Sequence, residues 1–157
     1  MILEVGDRIL IKERKLLDKF IPFRKRKYDW IANVISHNGE IIDFSPPIID
    51  RTFISKYADK PEKYHILVLR PKPQLSIAQK AIWSRKIKLL EGKYFSKKNK
   101  NVNINSIMDN EFIGAGVGTL LADNHCQKLK KETINSPSDY IKLVEKGEFE
   151  VLFDSQE

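Results

Sequence analysis

One cysteine, Cys126, and three histidines, His37, His65 and His125, are the chain's whole stock of thiol and imidazole groups. The best local setting for a nucleophile is the stretch Glu111–Asp123, where Phe112-Ile113 runs into glycines at alternate positions, Gly114, Gly116 and Gly118. A helix-compatible run, Val117 to Ala122, follows. Small residues at a helix start allow close approach, and the unpaired N–H groups there lower a thiol's pKa or bind an anion. No nucleophile stands at that start. His125-Cys126 lies at the far end of the same run, away from the positive dipole end, and adjacent side chains point apart, so the pair is not read as a catalytic dyad. His37 falls in an Asn-Gly turn and reads as an exposed turn residue. Gly114-Ala-Gly-Val-Gly118 has a GxGxG spacing with no βαβ unit after it, which excludes a dinucleotide fingerprint. No His/Cys/Asp/Glu spacing suits a metal, and no cofactor is expected.

A chain of 157 residues, 41% hydrophobic, can bury a core as one domain over 1–157 without disulfides. No apolar run reaches the roughly 20 residues of a membrane helix, and Met-Ile-Leu-Glu-Val-Gly-Asp is not a signal peptide. A lone cysteine suits a reducing compartment, so the expected location is the cytoplasm of a bacterium or of a phage-infected host. The net charge of +7 gathers in Arg24-Lys25-Arg26-Lys27, in Lys97, Lys98 and Lys100, and in Lys128, Lys130 and Lys131. Such clusters read as a solvated surface. Docking on nucleic acid or an acidic partner is the alternative they leave open.

These groups have to be positioned by the elements around them. Val5–Lys12 reads as a turn and a buried strand, with Ile9 and Ile11 alternating with Leu10. Glu13–Lys27 reads as a short helix or ordered loop broken at Pro22. Trp30–Ser36 and Glu40–Phe44 flank Asn38-Gly39 and predict a hairpin, closed by Pro46-Pro47. Asp50–Ala58 could hold a short helix. His65–Arg70 is apolar throughout its middle, as a strand buried on both faces would be. Ser76 is placed to cap a helix to Leu90 whose stripe includes Ala78, Ala81, Ile82, Trp83, Ile87, Leu89 and Leu90, with Gly92 as its C′ residue. Lys93–Asn110 reads as an exposed loop, Ser136-Pro137 opens another helix closed by Lys146-Gly147, and Glu148–Phe153 ends as an alternating strand.

In this order the pieces resemble the circularly permuted papain-like amidases and peptidases, the NlpC-type group with YiiX-like and LRAT-like members. The resemblance rests on Gly6-Asp7-Arg-Ile-Leu, the hairpin ending Ile41-Ile-Asp-Phe-Ser-Pro46, Val68-Leu-Arg-Pro71, Glu91-Gly92-Lys-Tyr94, Glu111-Phe-Ile-Gly114 and Ser136-Pro-Ser-Asp139. It implies an α+β domain with an antiparallel sheet packed against helices. By position the family's histidine falls on Trp30, its orienting polar residue on Asp43 and its cysteine on Gly114. Only Asp43 keeps the expected character.

The resemblance therefore implies a non-catalytic domain, a pseudoenzyme, that acts as a binding or structural module for a protein or peptide-like ligand. Tyr28, Trp30, Asp43, Gly114 and Gly116 are its candidate ligand-binding residues. Trp30 and Tyr28 read first as hairpin packing, with Trp30 as a plug beside Gly114 the sharper alternative. Asp43 reads as a polar residue on the strand's wet face. The competing readings are a cysteine amidase or peptidase substituted at Gly114, and the basic docking protein named above.

Overall fold

The computed structural model describes residues 1–14, 27–45, 47–92 and 137–156. Six strands form one antiparallel sheet: β1 (Arg8–Glu13), β2 (Trp30–Val34), β3 (Glu40–Asp43), β4 (Asp50–Phe53), β5 (Tyr64–Pro71) and β6 (Phe149–Asp154). Their order is β4-β3-β2-β1-β5-β6, every neighbouring pair antiparallel. Among the described residues three helices accompany them: α1 (Ser55–Ala58), α2 (Ile77–Lys88) and α3 (Asp139–Glu145). The architecture is α+β, as expected.

Successive strand residues point to opposite faces, and both faces of this sheet are covered. Leu10, Ile31, Ile42, Leu67 and Leu69 meet Trp83 and Ile87 of α2 and Tyr140 and Leu143 of α3 on the first face. Ile9, Ile11, Ala32, Val34, Ile41, Ile66 and Val68 gather with Tyr57 of α1 on the second. Two-sided burial is why β1 and β5 read as unbroken apolar runs rather than alternating ones. β5 is an interior strand, between β1 and β6.

The expected hairpin is present, with Ala32 opposite Asp43 and Val34 opposite Ile41. Its loop is longer than a two-residue turn: Ile35 N–H donates to the Glu40 carbonyl, and Gly39 takes φ +84. The Asn38 side-chain Oδ1 accepts from Glu40 N–H at 3.2 Å, so Asn and Gly each act in it. The helix expected over Asp50–Ala58 forms only at Ser55–Ala58. Asp50–Phe53 is instead an edge strand, because its backbone can extend the sheet beyond β3.

α2 starts as its sequence predicts. Ser76 Oγ accepts from Gln79 N–H at 3.3 Å, and Gln79 Oε1 accepts from Ser76 N–H at 2.9 Å, a reciprocal capping box. Its broad stripe does not hold: Trp83, Ile87 and Leu90 are buried, whereas Ala78, Ala81, Ile82 and Leu89 face outward. Gly92 is not its C′ residue, since the helix ends at Lys88 with Leu89 as cap. The left-handed Gly92 instead donates its N–H to the Ile49 carbonyl. α3 does close at Lys146-Gly147: Gly147 N–H donates to Val144 O and Glu148 N–H to Leu143 O, with Gly147 left-handed. A bulge facing Val68 and Leu69 interrupts β6, and Val151 and Phe153 beside it are exposed on this edge strand.

The segments expected at 15–26 and 93–136, the glycine-rich helix among them, lie outside the described residues.

The turn before β1 is tied to β5 by charge. Arg70 grips Asp7 with both ends of its guanidinium, Nε to Oδ1 at 2.9 Å and Nη2 to Oδ2 at 2.8 Å. Asp7 is buried, and Glu4 links the same arginine to Lys80 of α2. Removing one partner of a buried pair leaves an uncompensated charge, whereas removing a cap costs one exposed hydrogen bond. Arg70→Ala should therefore cost about 3 kcal/mol and Ser76→Ala about 1 kcal/mol. Urea unfolding of the two variants checks that order.

Candidate functional site

Asp43, at the end of β3, is the most heavily coordinated side chain among the described residues of the hairpin. It is fully buried, so its oxygens must find donors within the protein. Oδ1 accepts from Ser45 N–H at 3.0 Å. Oδ2 accepts from Ser45 Oγ at 3.0 Å, from Lys56 Nζ at 2.6 Å and from the Tyr57 hydroxyl. The expectation of a wet-face aspartate is thus overturned. α1 supplies two of these donors from one turn, and the chain's reversal at Ser45 supplies the rest. Asp50 lies opposite Asp43 in the sheet; like charges there are unfavourable, and Lys56 compensates.

The donors are changed by the contact. Tyr57 is pushed up to about 12, by burial first and then by the hydrogen bond and charge of Asp43. Burial works against the charge of Lys56, but the bond and charge of Asp43 outweigh it and raise the ammonium above its usual value. Both effects favour the Tyr57 hydroxyl and the Lys56 ammonium as donors.

Trp30 occupies the same sheet face as Asp43, two residues before Ala32, which faces Asp43 across the ladder. Its ring lies 6.3 Å from Tyr57 and 6.5 Å from Tyr64, and those two tyrosines meet edge-on at 5.0 Å. Tyr57 therefore touches Trp30 through its ring and Asp43 through its hydroxyl. The indole N–H is shielded and donates to no described group.

Tyr28 does not join this set. It belongs to the first face, with its N–H on Ser138 Oγ and its ring 5.4 Å from His65. The sheet stands between Tyr28 and the Trp30–Asp43 pair. His37 is exposed, as expected, and its Nδ1 lies 3.0 Å from the Leu3 carbonyl. Gly114, Gly116, His125 and Cys126 lie outside the described residues, as do all the residues of the basic clusters except Lys27.

Sequence reasoning missed His65. Its Nε2 is 2.7 Å from Asp154 Oδ1, with both side chains buried at the β5–β6 junction. Ile66 N–H donates to Ser155 Oγ and Ser155 N–H to Ile66 O, so the pair ties the last strand to β5. A histidine in a strand buried on both faces needs a polar partner, and that was the available signal. An imidazole–carboxylate pair is half of a general-base arrangement, yet a ring with no accessible surface cannot take a proton from a substrate.

No group of three His, Cys, Asp or Glu among the described residues could hold a metal ion. No described helix is long and apolar enough to cross a membrane. Compared with protein-family models, curated proteins and solved structures, the chain has no match.

A raised tyrosine pKa has a definite consequence for stability. Between pH 10 and about 12 the unfolded chain loses the Tyr57 proton while the folded one keeps it. Stability from this group is complete below pH 10 and is lost as pH rises toward 12. In an absorbance titration, Tyr57→Phe should remove a component that ionises near 12; removal of one near 10 would contradict the assignment.

Proposed function

We propose that this chain is a non-catalytic domain of the permuted papain-like, NlpC-type kind, serving as a binding or structural module. The observation that carries this reading is the closed coordination of Asp43. In the resemblance, that position orients a histidine standing at position 30. Here Tyr57, Lys56 and Ser45 take up the carboxylate, and Trp30 packs where the imidazole would stand. An indole cannot accept a proton, and a carboxylate already holding four donors has little capacity to orient a base.

The motif pieces also support the reading by meeting in space. Asp7 of the Gly6-Asp7 turn is the partner of Arg70 in Val68-Leu-Arg-Pro71. Asp139 opens α3 beside Ser138, whose hydroxyl receives the Tyr28 N–H. Residues that look unrelated in sequence thus act as mutual supports.

A hydrolase substituted only at Gly114 is the weaker alternative, because restoring a thiol there would leave Trp30 and Tyr57 in place. The ligand proposed is a protein or peptide-like chain.

The wild-type protein should show no turnover of amide, thioester or ester substrates, and only slow, non-stoichiometric labelling of Cys126 by an electrophile. Stoichiometric burst labelling of Cys126, lost on Cys126→Ser, would overturn the reading. In the converse trial, Trp30→His with Gly114→Cys should gain thiol reactivity only when both are present, and more when Tyr57→Phe frees Asp43. Nucleophile and base act as a unit, so reactivity from Gly114→Cys alone would argue for the hydrolase.

A further inference from the structure

α2 has two apolar sides, and only one of them meets the sheet. Trp83 and Ile87 are buried, whereas Ile77 is 89% exposed, Ile82 50% and Leu89, directly after the helix, 65%. With Ala78 and Ala81, also exposed, these fall within one arc of about 140° on a helical wheel. Aliphatic groups this exposed, and gathered along one face, mark an interaction surface rather than scattered surface residues.

Charge decides what that surface meets. α2 holds Lys80, Arg85, Lys86 and Lys88 and no acidic residue. Lys80 pairs with Glu4, but Arg85, Lys86 and Lys88 make no ion pair with a described carboxylate. Arg85 and Lys88 lie within that arc themselves. Two copies meeting face to face would set these cations against each other. Nucleic acid would neutralise them but leave Ile77, Ile82 and Leu89 in water. An anionic lipid surface answers both, since acyl chains receive the aliphatic groups while headgroup phosphates meet the long basic side chains.

We propose that the outward face of α2 docks the protein on an anionic lipid membrane, with Ile77, Ile82 and Leu89 entering the acyl boundary and Arg85, Lys86 and Lys88 on headgroup phosphates. This surface is separate from the Asp43 cluster and does not depend on the papain-like reading.

Co-sedimentation of the full chain with lipid vesicles tests it. Binding is expected to phosphatidylcholine vesicles containing phosphatidylglycerol, and not to phosphatidylcholine alone. It should weaken with salt as the charges are screened. Ile82→Ser with Leu89→Ser should lower partitioning at least about tenfold. Arg85→Ser with Lys88→Ser should lower it about twenty-five-fold, near fivefold for each charge. Lys60→Ser, an exposed change elsewhere, should leave it unaltered. Unfolding midpoints like the wild type's would show that the exposed substitutions leave the fold intact. Binding unchanged by the Ile82/Leu89 pair would show mere polyanion attraction and overturn the proposal. So would absence of binding to the anionic vesicles at low salt, or a vesicle-free dimer that this pair abolishes.

Discussion

A carboxylate placed inside a sheet's hydrophobic face has to be matched, and Asp43 is where this protein meets that demand. Desolvating an unpaired charge costs several kcal/mol or more, comparable with the whole margin of stability of a small domain. The answer is a one-turn helix, α1, that brings Lys56 and Tyr57 to one oxygen. Ser45 holds the other oxygen through its backbone. The demand therefore fixes more than a side chain. It sets where the chain must return after the edge strand β4, and it places Tyr57 between Trp30 and Tyr64.

The same logic recurs at smaller scale. Asp7 is matched by Arg70 and His65 by Asp154, each pair joining distant segments across the sheet. Buried polar groups of this kind add little net stability over apolar ones. What they do here is tie particular strands at particular points. Together they explain how a sheet with two greasy faces carries polar residues at Asp7, Asp43 and His65 without leaving them bare.

Much of the fold could be read from the sequence where the signal is local. The hairpin rests on Asn38-Gly39 between two β-rich runs, and α2 on Ser76 with Gln79 three residues later. β4 was not legible, because Asp-Arg-Thr-Phe has no alternation and is a strand only through pairing with β3. Periodicity could not tell which of the two apolar sides of α2 meets the sheet, since it marks apolar positions without saying what lies against them. The site was less legible than the fold. Asp43 and its donors in α1 are 13 and 14 residues apart, and His65 and Asp154 are 89 apart. No spacing rule reaches that far, and the alternation that puts Asp43 inward needed the second covered face to be known.

The closed site depends on the Tyr57 hydroxyl filling the acceptor that a catalytic imidazole would need. Proton NMR of the native protein answers this most directly. A phenolic hydroxyl proton held by a buried carboxylate should appear downfield and exchange slowly with water. That resonance should vanish in both Tyr57→Phe and Asp43→Asn. Absence of such a signal in the folded wild type, or its survival in Asp43→Asn, would show that the Tyr57 hydroxyl is not held by the aspartate and contradict the closed site.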